Sequence, residues 1–326
     1  MNLLLIIGAI LIFFIVETVY FRIADRYNII DKPNHRSSHN TVTIRGGGVL
    51  FPIAVLIFFG YSGCTYPYFT IGLLAIAAIS FLDDIYTLDN KIRLVVHLAA
   101  VALLFYQLDI YQLSLFWLLP ALIFVIGTIN AYNFMDGING ITGGYSLVTL
   151  LTLWHINEKV QPFGSSTLMI IVMLSLLVFN YFNFRKTARC FAGDVGSVSM
   201  AFIILFFLGQ LLVVSQNLAY IFLLLLYGLD AVTTICFRLI RKENIFKAHR
   251  SHVYQFLANT KKWPHVWVSI SYMMVQLIIN LFIISYSGYF GGSLWGCVVF
   301  LLITTILFIG FRLILEGKKH LFGEIN

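Results

Sequence analysis

The chain has 326 residues, of which 60% are hydrophobic and only 11% are charged, and its net charge is +7. Soluble domains are about 45–50% apolar and about 25% charged, so this composition excludes an ordinary soluble globular protein. Lipid cannot hydrogen-bond the backbone, so apolar segments must cross the bilayer as helices of about 20 residues. The composition therefore predicts an all-α integral membrane protein.

Eleven apolar stretches are long enough to be candidate spans, and no soluble domain fits between them. The first stretch lacks a basic leader and a small-residue cleavage site, so we expect a membrane helix there and not a removed signal peptide. The chain is predicted to be one polytopic domain, 1–326. The spans are predicted at 3–21, 46–62, 67–82, 94–108, 112–129, 138–156, 165–184, 196–213, 217–237, 266–286 and 292–315.

The basic residues alternate sharply between the connections. Of the 21 lysines and arginines, 20 lie in the odd-numbered connections, at the C-terminal end of the last span or in the tail after it, and only Lys159 lies in an even-numbered connection. Because basic loops stay on the cytoplasmic side, this predicts an external N-terminus and a cytoplasmic C-terminus. The cytoplasmic loops, which we expect to form the site, are then 22–45, 83–93, 130–137, 185–195 and 238–265.

Acidic and amide side chains also collect at the predicted cytoplasmic ends of the spans, while the spans themselves are nearly free of polar residues. A transporter is expected to bury polar groups near the midplane, often at broken helices. The pattern therefore favours a reaction at the membrane surface. The four cysteines show no CxxC spacing, so a metal or redox role for them is not indicated.

The first polar cluster is FLDDIYTLDNKIRL, in which Asp83 and Asp84 directly follow an apolar run. Neighbouring residues on a helix point about 100° apart, so these carboxylates suit two adjacent roles better than joint chelation of one ion. A solvated helix end is the alternative interpretation.

The second cluster is NAYNFMDGING. Asn130 and Asn133 share a face if the segment is helical, and Asp136 and Asn139 continue the same spacing. Amide oxygens can ligate a hard cation or contact a nucleobase, and the glycines allow a ligand to approach the backbone. A capped turn between two spans is the alternative.

The third cluster, CFAGDVGS, places Asp194 between two glycines at the start of an apolar helix. A helix N-terminus attracts phosphate, although Asp is also a common helix cap. The fourth cluster, AHRSHVYQ, contains His249, Arg250 and His252. It suits phosphate oxygens better than zinc, because no third protein ligand is evident. A basic cytoplasmic loop is the alternative there.

With these motifs in this order, the chain resembles the polyprenyl-phosphate N-acetylhexosamine-1-phosphate transferases of glycosyltransferase family 4. The resemblance runs from DKPNHRSSHNTVTIRGGG to AHRSHVYQ, about residues 31–257. HRSH matches the WecA-like, O-antigen-initiating branch. The MraY branch has a run of histidines there, and TPTMGG where this chain has NTVTIRGGG.

The resemblance implies a multi-pass enzyme of the bacterial inner membrane. It would transfer N-acetylhexosamine-1-phosphate, GlcNAc-1-phosphate first of all, from a UDP-sugar to undecaprenyl phosphate, with UMP as the second product. Mg²⁺ is the expected cofactor, with Mn²⁺ as an alternative. No nucleic-acid partner is expected, and a homodimer is one option for the assembly. The product would initiate a cell-envelope polysaccharide such as lipopolysaccharide.

The resemblance also implies residue roles. Asp194 would ligate Mg²⁺ with Asn133, and Asp83 and Asp84 would position the lipid phosphate or the metal. Because a phosphate monoester has a second pKa near 6, we expect direct attack by its dianion; a covalent aspartyl-phosphate is the alternative. The predicted catalytic residues are Asp83, Asp84, Asp194 and His249, and the predicted substrate-binding residues are Thr43, Arg45, Asn130, Asp136, Asn139, Arg250 and His252.

Three rival hypotheses stay open at this point. The chain could transport or flip a lipid-linked sugar, with Asp230 and His97 as the candidate intramembrane polar residues. Asp230 could instead support the late loop from the cytoplasmic end of its span. The protein could also be an MraY-type transferase or an inactive binding relative, although the intact set of acids argues against inactivity.

Overall fold

Long apolar helices build almost the whole molecule. The structure is a computed structural model that describes residues 3–31, 42–86, 88–245 and 249–323. It is 80% helical, so the predicted all-α class is confirmed. In chain order the main helices are α1 Leu3–Arg26, α2 Leu50–Tyr61, α3 Pro67–Tyr86, α4 Asn90–Gln107, α5 Leu115–Met135, α6 Ile141–Lys159, α7 Ser166–Asn183, α8 Gly193–Ser215, α9 Leu225–Ile240, α10 Val253–Gln255, α11 His265–Phe290, α12 Leu294–Glu316 and α13 Lys318–Phe322.

Within the described ranges, a helix lies at each of the eleven predicted spans. Eight of these helices are long and apolar enough to cross a membrane, α9 being counted with the 3₁₀ turn before it. α2 is shorter, and α4 and α6 are more polar. The count of eleven and the orientation therefore remain predictions.

The helices reach further into the predicted loops than the apolar runs do. α3 continues to Tyr86 and α5 to Met135, while α4 begins at Asn90 and α8 at Gly193. The predicted loops 83–93, 130–137 and 185–195 are therefore partly helical, because backbone hydrogen bonding does not stop where the side chains become polar. Residues 32–41, 87 and 246–248 of the predicted site loops lie outside the described residues.

α8 is the central helix of the bundle. It packs against α3, α5, α6 and α2, and 78% of its apolar stretch is buried. By contrast, only 6% of the corresponding stretch of α12 is buried, so α12 lies at the periphery with its apolar surface toward lipid. The N-terminus of the most buried helix thus opens at the end of the bundle where the polar motifs lie.

The first connection contains a short hairpin that the sequence did not predict. β1 (Ile30–Asp31) and β2 (Thr43–Ile44) pair antiparallel, and Ile44 also forms a bridge with Cys190, just before α8. A 3₁₀ turn, Gly47–Val49, then leads into α2. The hairpin fixes this connection against the segment that starts α8.

One span is broken, and the break is hydrogen-bonded. A 3₁₀ stretch, Leu218–Leu224, precedes α9. Gln276 of α11 accepts hydrogen bonds from Leu226 N–H (3.0 Å) and Tyr145 Oη (2.8 Å), and its amide donates to Asn280 Oδ1 (2.7 Å) and the Phe222 carbonyl. Polar groups therefore do lie inside the spans, contrary to expectation. Because all the hydrogen-bonding capacity of Gln276 is used by protein, it stabilises the broken helix.

Candidate functional site

The first and third motifs meet in a cluster of three carboxylates and two guanidinium groups. Arg45 Nε lies 2.7 Å from Asp84 Oδ1, and Arg45 Nη2 lies 3.2 Å from Asp194 Oδ1. Arg93 pairs with Asp83 Oδ2 (2.5 Å) and Asp194 Oδ2 (3.4 Å). The end of α3, the start of α8 and α4 are thus joined by ion pairs at one end of the bundle.

Asp84 caps the N-terminus of α8. Its side chain is fully buried, and its two oxygens accept hydrogen bonds from Asp194 N–H (2.9 Å) and Val195 N–H (3.1 Å). These amides are two of the free donors of a helix start, where a negative charge is also favoured by the helix dipole. Asp84 therefore fixes α8, while Asp83 accepts from Leu88 N–H (2.6 Å) and orients Arg93.

Because Asp84 supplies the cap, the carboxylate of Asp194 is free for other contacts. The side chain of Asp194 is 18% exposed and lies between the two arginines. The cap residue of α8 is Ala192, which has no side-chain oxygen. The alternative interpretation of Asp194 as a simple helix cap is therefore wrong.

Arg93 is a site residue that the sequence reasoning missed. It was counted only among the basic residues that set the orientation, yet its guanidinium contacts both Asp83 and Asp194. Arg93 lies in the same motif as Asp83 and on the first turns of α4. This position is the signal in the sequence that could have identified it. His97 follows one turn later on α4.

The glycines after Arg45 allow the close approach that brings its guanidinium to α8. Gly46 has φ +81°, which favours glycine. A Cβ on Gly48 would lie 2.2 Å from the Cα of Gly196, so the turn and α8 pack backbone to backbone. Tyr20 Oη donates to the Arg45 carbonyl (2.6 Å), and Thr43 lies buried in β2 opposite Asp31.

The pKa of Arg45 lies above its usual value. Partial burial alone would lower the pKa, but the negative charges of Asp84 and Asp194 outweigh that effect. Arg45 is therefore a permanent cation beside Asp194. Such a cation can hold phosphate oxygens when substrate is present.

The second motif begins on α5 and ends beyond it. Asn133 Nδ2 donates to Ser197 Oγ (3.3 Å), in the first turns of α8, and this places Asn133 beside the turn that carries Asp194. Asn130 is exposed and donates to the carbonyl of Ile126 (2.9 Å). α5 ends at Met135, so Asn130 and Asn133 lie on one helix, whereas Asp136 and Asn139 keep the three-residue spacing beyond its end.

Asp136 follows the last residue of α5 and is partly exposed. Burial raises its pKa to about 7, although the nearby Thr142 hydroxyl lowers it, and the charges of Asp194 and Asp84 raise it further. Asp136 therefore belongs to the same electrostatic cluster as the first and third motifs. A bound cation would favour its ionised form.

Asn139 is buried and tied to the neighbouring connection. Its Nδ2 donates to the carbonyls of Arg185 (2.8 Å) and Lys186 (3.2 Å). The Ser269 hydroxyl donates to the backbone carbonyl of Asn139 (2.8 Å). These contacts give Asn139 a structural task. Its role in substrate binding stays a prediction.

The late loop carries His249, Arg250 and His252. His252 is buried, with Nδ1 3.4 Å from Asp230 Oδ1. The pKa of His249 is lowered to about 4, first by burial and then by the electrostatic effects of the neighbouring His252 and Arg238 side chains. Ser251 N–H donates to His249 Nδ1 (3.4 Å), so the ring of the neutral His249 carries its proton on Nε2.

Tyr254 joins the late loop to the second motif. Its hydroxyl donates to the Phe134 carbonyl (2.8 Å), and a Cβ on Gly137 would collide with the same hydroxyl at 2.2 Å. The ring centroids of Phe134 and His249 lie 6.4 Å apart. All four polar motifs therefore converge, linked in pairs through Arg45, Ser197 and Tyr254.

Asp230, on α9, is hydrogen-bonded to the backbone of this loop. Fully buried on α9, it accepts hydrogen bonds from Val253 N–H (3.0 Å) and Tyr272 Oη (2.6 Å). The interpretation that Asp230 supports the late loop is therefore confirmed. Its protein contacts also leave it poorly suited to line a transport path.

The donor set fits a magnesium ion held largely by substrate. The described residues contain no group of three or more His, Cys, Asp or Glu residues that could hold a metal. Mg²⁺ commonly takes one or two carboxylates and completes its shell with water and substrate phosphates. The carboxylate of Asp194 and the neighbouring carboxamide of Asn133, whose Nδ2 is engaged by Ser197, match that requirement.

Comparison with known proteins gives a consistent result. The family model for glycosyl transferase family 4 matches residues 66–214. The chain is 25% identical over 263 residues to the probable undecaprenyl-phosphate N-acetylglucosaminyl 1-phosphate transferase of Bacillus subtilis, covering 74% of this chain and 73% of the relative. It is 27% identical over 290 residues to the undecaprenyl-phosphate alpha-N-acetylglucosaminyl 1-phosphate transferase of Thermotoga maritima, covering 86% and 89%.

The matched segment contains the acidic residues of the site. It spans α3 to α8 and therefore includes Asp83, Asp84, Asp136 and Asp194. The relatives extend the similarity over most of the chain. The motifs, the all-α membrane fold and these matches together support the similarity of the chain to glycosyl transferase family 4, the polyprenyl-phosphate hexosamine-1-phosphate transferases.

Proposed function

We propose that the protein transfers N-acetylhexosamine-1-phosphate from a UDP-sugar to undecaprenyl phosphate on the cytoplasmic face of the bacterial inner membrane. The product would be undecaprenyl-pyrophosphate-sugar, UMP would leave, and the lipid-linked sugar would initiate an envelope polysaccharide. GlcNAc is our first choice, because the relatives are named for N-acetylglucosaminyl 1-phosphate transfer. The observation that carries the proposal is Asp194, placed at a helix N-terminus between two arginines.

In this proposal Asp194 is a metal ligand, because its partly exposed carboxylate caps no helix. Asp194 and Asn133 would hold Mg²⁺, or Mn²⁺ in its place, and the ion would neutralise charge on the diphosphate of the donor. Asp84 fixes the first turn of α8, so that Asp194 stays in place without being used as a cap. The sequence suggested only that Asp83 and Asp84 have two different roles. That Asp84 holds the helix for Asp194 is part of this proposal.

Arg45 and Arg93 would change partners when substrate binds. In the free protein both guanidinium groups are paired with carboxylates, and both are partly exposed, at 35% and 23%. Phosphate oxygens offer the same bidentate geometry as a carboxylate. The two arginines can therefore move from Asp194 toward phosphate when the carboxylate turns to a cation.

The attacking group needs alignment more than it needs a base. A phosphate monoester is mostly a dianion at neutral pH, since its second pKa is near 6. Both oxygens of Asp83 are engaged, by Leu88 N–H and by Arg93, so Asp83 acts through Arg93 on the lipid phosphate. This favours direct in-line attack over an aspartyl-phosphate intermediate.

The late loop would bind the diphosphate of the donor. His249 is neutral in the free protein and presents an N–H at Nε2, which can donate to a phosphate oxygen. Arg250, adjacent in sequence, adds a positive charge. A bound diphosphate would raise the pKa of His249, because an anion stabilises the imidazolium form.

Purified protein in detergent tests the proposal directly. With radiolabelled UDP-GlcNAc, undecaprenyl phosphate and Mg²⁺, we expect butanol-extractable label, and we expect none with EDTA or with Asp194→Asn. A panel of UDP-N-acetylhexosamines identifies the sugar. If no donor in the panel gives a lipid-linked product, the transferase proposal is wrong; normal activity of Asp194→Asn would refute only the metal role.

The transporter hypothesis is less well supported. Gln276 makes all its hydrogen bonds to protein groups at the helix break, and Asp230 holds the late loop. Sealed vesicles that contain the protein and a fluorescent lipid-linked sugar would test it. Protein-dependent movement of that lipid between leaflets, without UDP-sugar turnover, would favour transport over transfer.

A further inference from the structure

Arg312 is a buried charge in the last apolar helix. α12 exposes nearly all of its apolar surface, yet the side chain of Arg312 is only 1% exposed. A guanidinium inside an apolar span is unfavourable unless it is paired, and it usually marks a functional region. The surrounding sequence, FRLILE, resembles the end of a plain membrane helix and gives no sign of this role.

The guanidinium of Arg312 joins three elements. It pairs with Glu316 one turn later on α12 (2.6 Å). Its Nη1 donates to Thr233 Oγ1 (3.0 Å) and Thr234 Oγ1 (2.9 Å) on α9, and its Nη2 donates to the Ser251 carbonyl (2.9 Å). Ser251 is the third residue of HRSH, so a peripheral helix holds the backbone of the late loop.

The loop is held on two sides at neighbouring peptide groups. Arg312 fixes the carbonyl of Ser251, and Asp230 fixes the N–H of Val253. Thr234 Oγ1 lies 3.3 Å from Asp230 Oδ1 and 3.4 Å from the Ser251 carbonyl oxygen, so its hydroxyl can donate to either. Between these anchors lies His252, and His249 hydrogen-bonds to Ser251 N–H, so the anchors set where the histidines stand.

We propose that Arg312 is a positioning residue for the donor diphosphate, acting through the Ser251 carbonyl and without touching substrate. This role rests on the proposed function of the late loop. It predicts that loosening the anchor weakens binding of the UDP-sugar and leaves binding of undecaprenyl phosphate unchanged, because Asp83 and Arg93 belong to a different cluster.

Two adjacent threonines provide a matched pair of variants. Both are buried on α9 and both accept a hydrogen bond from Arg312, but only Thr234 reaches the Ser251 carbonyl. We expect Thr234→Val to raise the KM for UDP-sugar roughly five- to tenfold, the effect of about one lost hydrogen bond. Thr233→Val should change it less than twofold.

Arg312 itself is tested with its charge partner removed as well. Arg312→Met alone would remove the guanidinium that pairs with the buried Glu316 and leave only His320 Nε2, 3.7 Å away, beside it, so it is combined with Glu316→Leu. Arg312→Lys keeps the charge but loses the fork geometry. We expect both variants to raise the KM for UDP-sugar at least tenfold, with the KM for undecaprenyl phosphate within twofold of wild type.

Hydrogen exchange of the amides at 249–253, read by mass spectrometry, gives a measurement that does not depend on turnover. Exchange should become faster in Thr234→Val and in the double variant, but not in Thr233→Val. Equal rises in both KM values, or unchanged KM values and exchange, would overturn the positioning role. If the wild-type protein makes no lipid-linked product, the proposed function fails, while the exchange experiment still decides whether Arg312 holds the loop.

Discussion

Replacing Asp84 by Asn tests whether this carboxylate caps α8 or binds substrate. Asp84 is fully buried and accepts from two helix N–H groups and from Arg45. Asn keeps one acceptor oxygen but turns an NH₂ group toward the second donor. A lost charged hydrogen bond costs about 1.5–3 kcal/mol and a lost helix cap about 1 kcal/mol. We therefore expect Asp84→Asn to destabilise the fold by about 2–4 kcal/mol.

Thermal unfolding in detergent, followed by tryptophan fluorescence, measures this effect. Asp84→Asn should lower the Tm by several degrees and reduce turnover. Asp194→Asn is the matched control, because its partly exposed side chain caps nothing. That variant should lose turnover with a much smaller change in Tm. If Asp84→Asn melted like wild type while losing turnover, Asp84 would bind substrate or metal directly, and the capping argument would be wrong.

Three further predictions concern other parts of the site. Arg93→Met should reduce turnover at least a hundredfold, because Asp83 and Asp194 lose a shared partner. Arg93→Lys should retain part of the wild-type turnover, and initial rates of the two variants test this difference. Gly48→Ala should lower both Tm and turnover, because its Cβ would meet Gly196 at 2.2 Å, while Gly60→Ala, with nothing within 4 Å, should behave like wild type. The pKa of His249 is lowered to about 4, so the unfolded chain takes up a proton between about pH 6.5 and 4 that the folded protein does not. The free energy of unfolding should therefore decrease as the pH falls through this range, by up to ~1.4 kcal/mol per pH unit. His249→Gln should show a smaller decrease in Tm over the same range. An equally steep decrease in the variant would contradict the assignment.

The polar motifs could be found from the sequence because they interrupt a nearly uniform apolar background. Asp83, Asp84, Asp136 and Asp194 are conspicuous for that reason, and the structure brings them into one electrostatic cluster. Arg93 could not be distinguished in this way. Basic residues occur throughout the same connections for topological reasons, and only the ion pairs separate a site arginine from the others.

Roles within a motif could not be read from spacing alone. The sequence presents Asp83 and Asp84 as equivalent neighbours. In the structure Asp83 orients Arg93, whereas Asp84 caps α8 through the N–H of Asp194, 110 residues further along the chain. Asn139 continued a regular spacing, but the helix ends before it and its amide is used by the fold. Spacing predicts a shared face only where the helix continues.

The sequence by itself determined the membrane environment, the all-α class and the positions of the polar motifs, because these follow from composition and from the length of apolar runs. The tertiary structure decided which side chains meet. Arg45, Arg312 and Asp230 form their contacts with residues that are distant in the chain or on other elements. Such contacts depend on helix packing, on close approach at glycine, and on the need to pair every buried charge, and none of these leaves a local signal in the sequence.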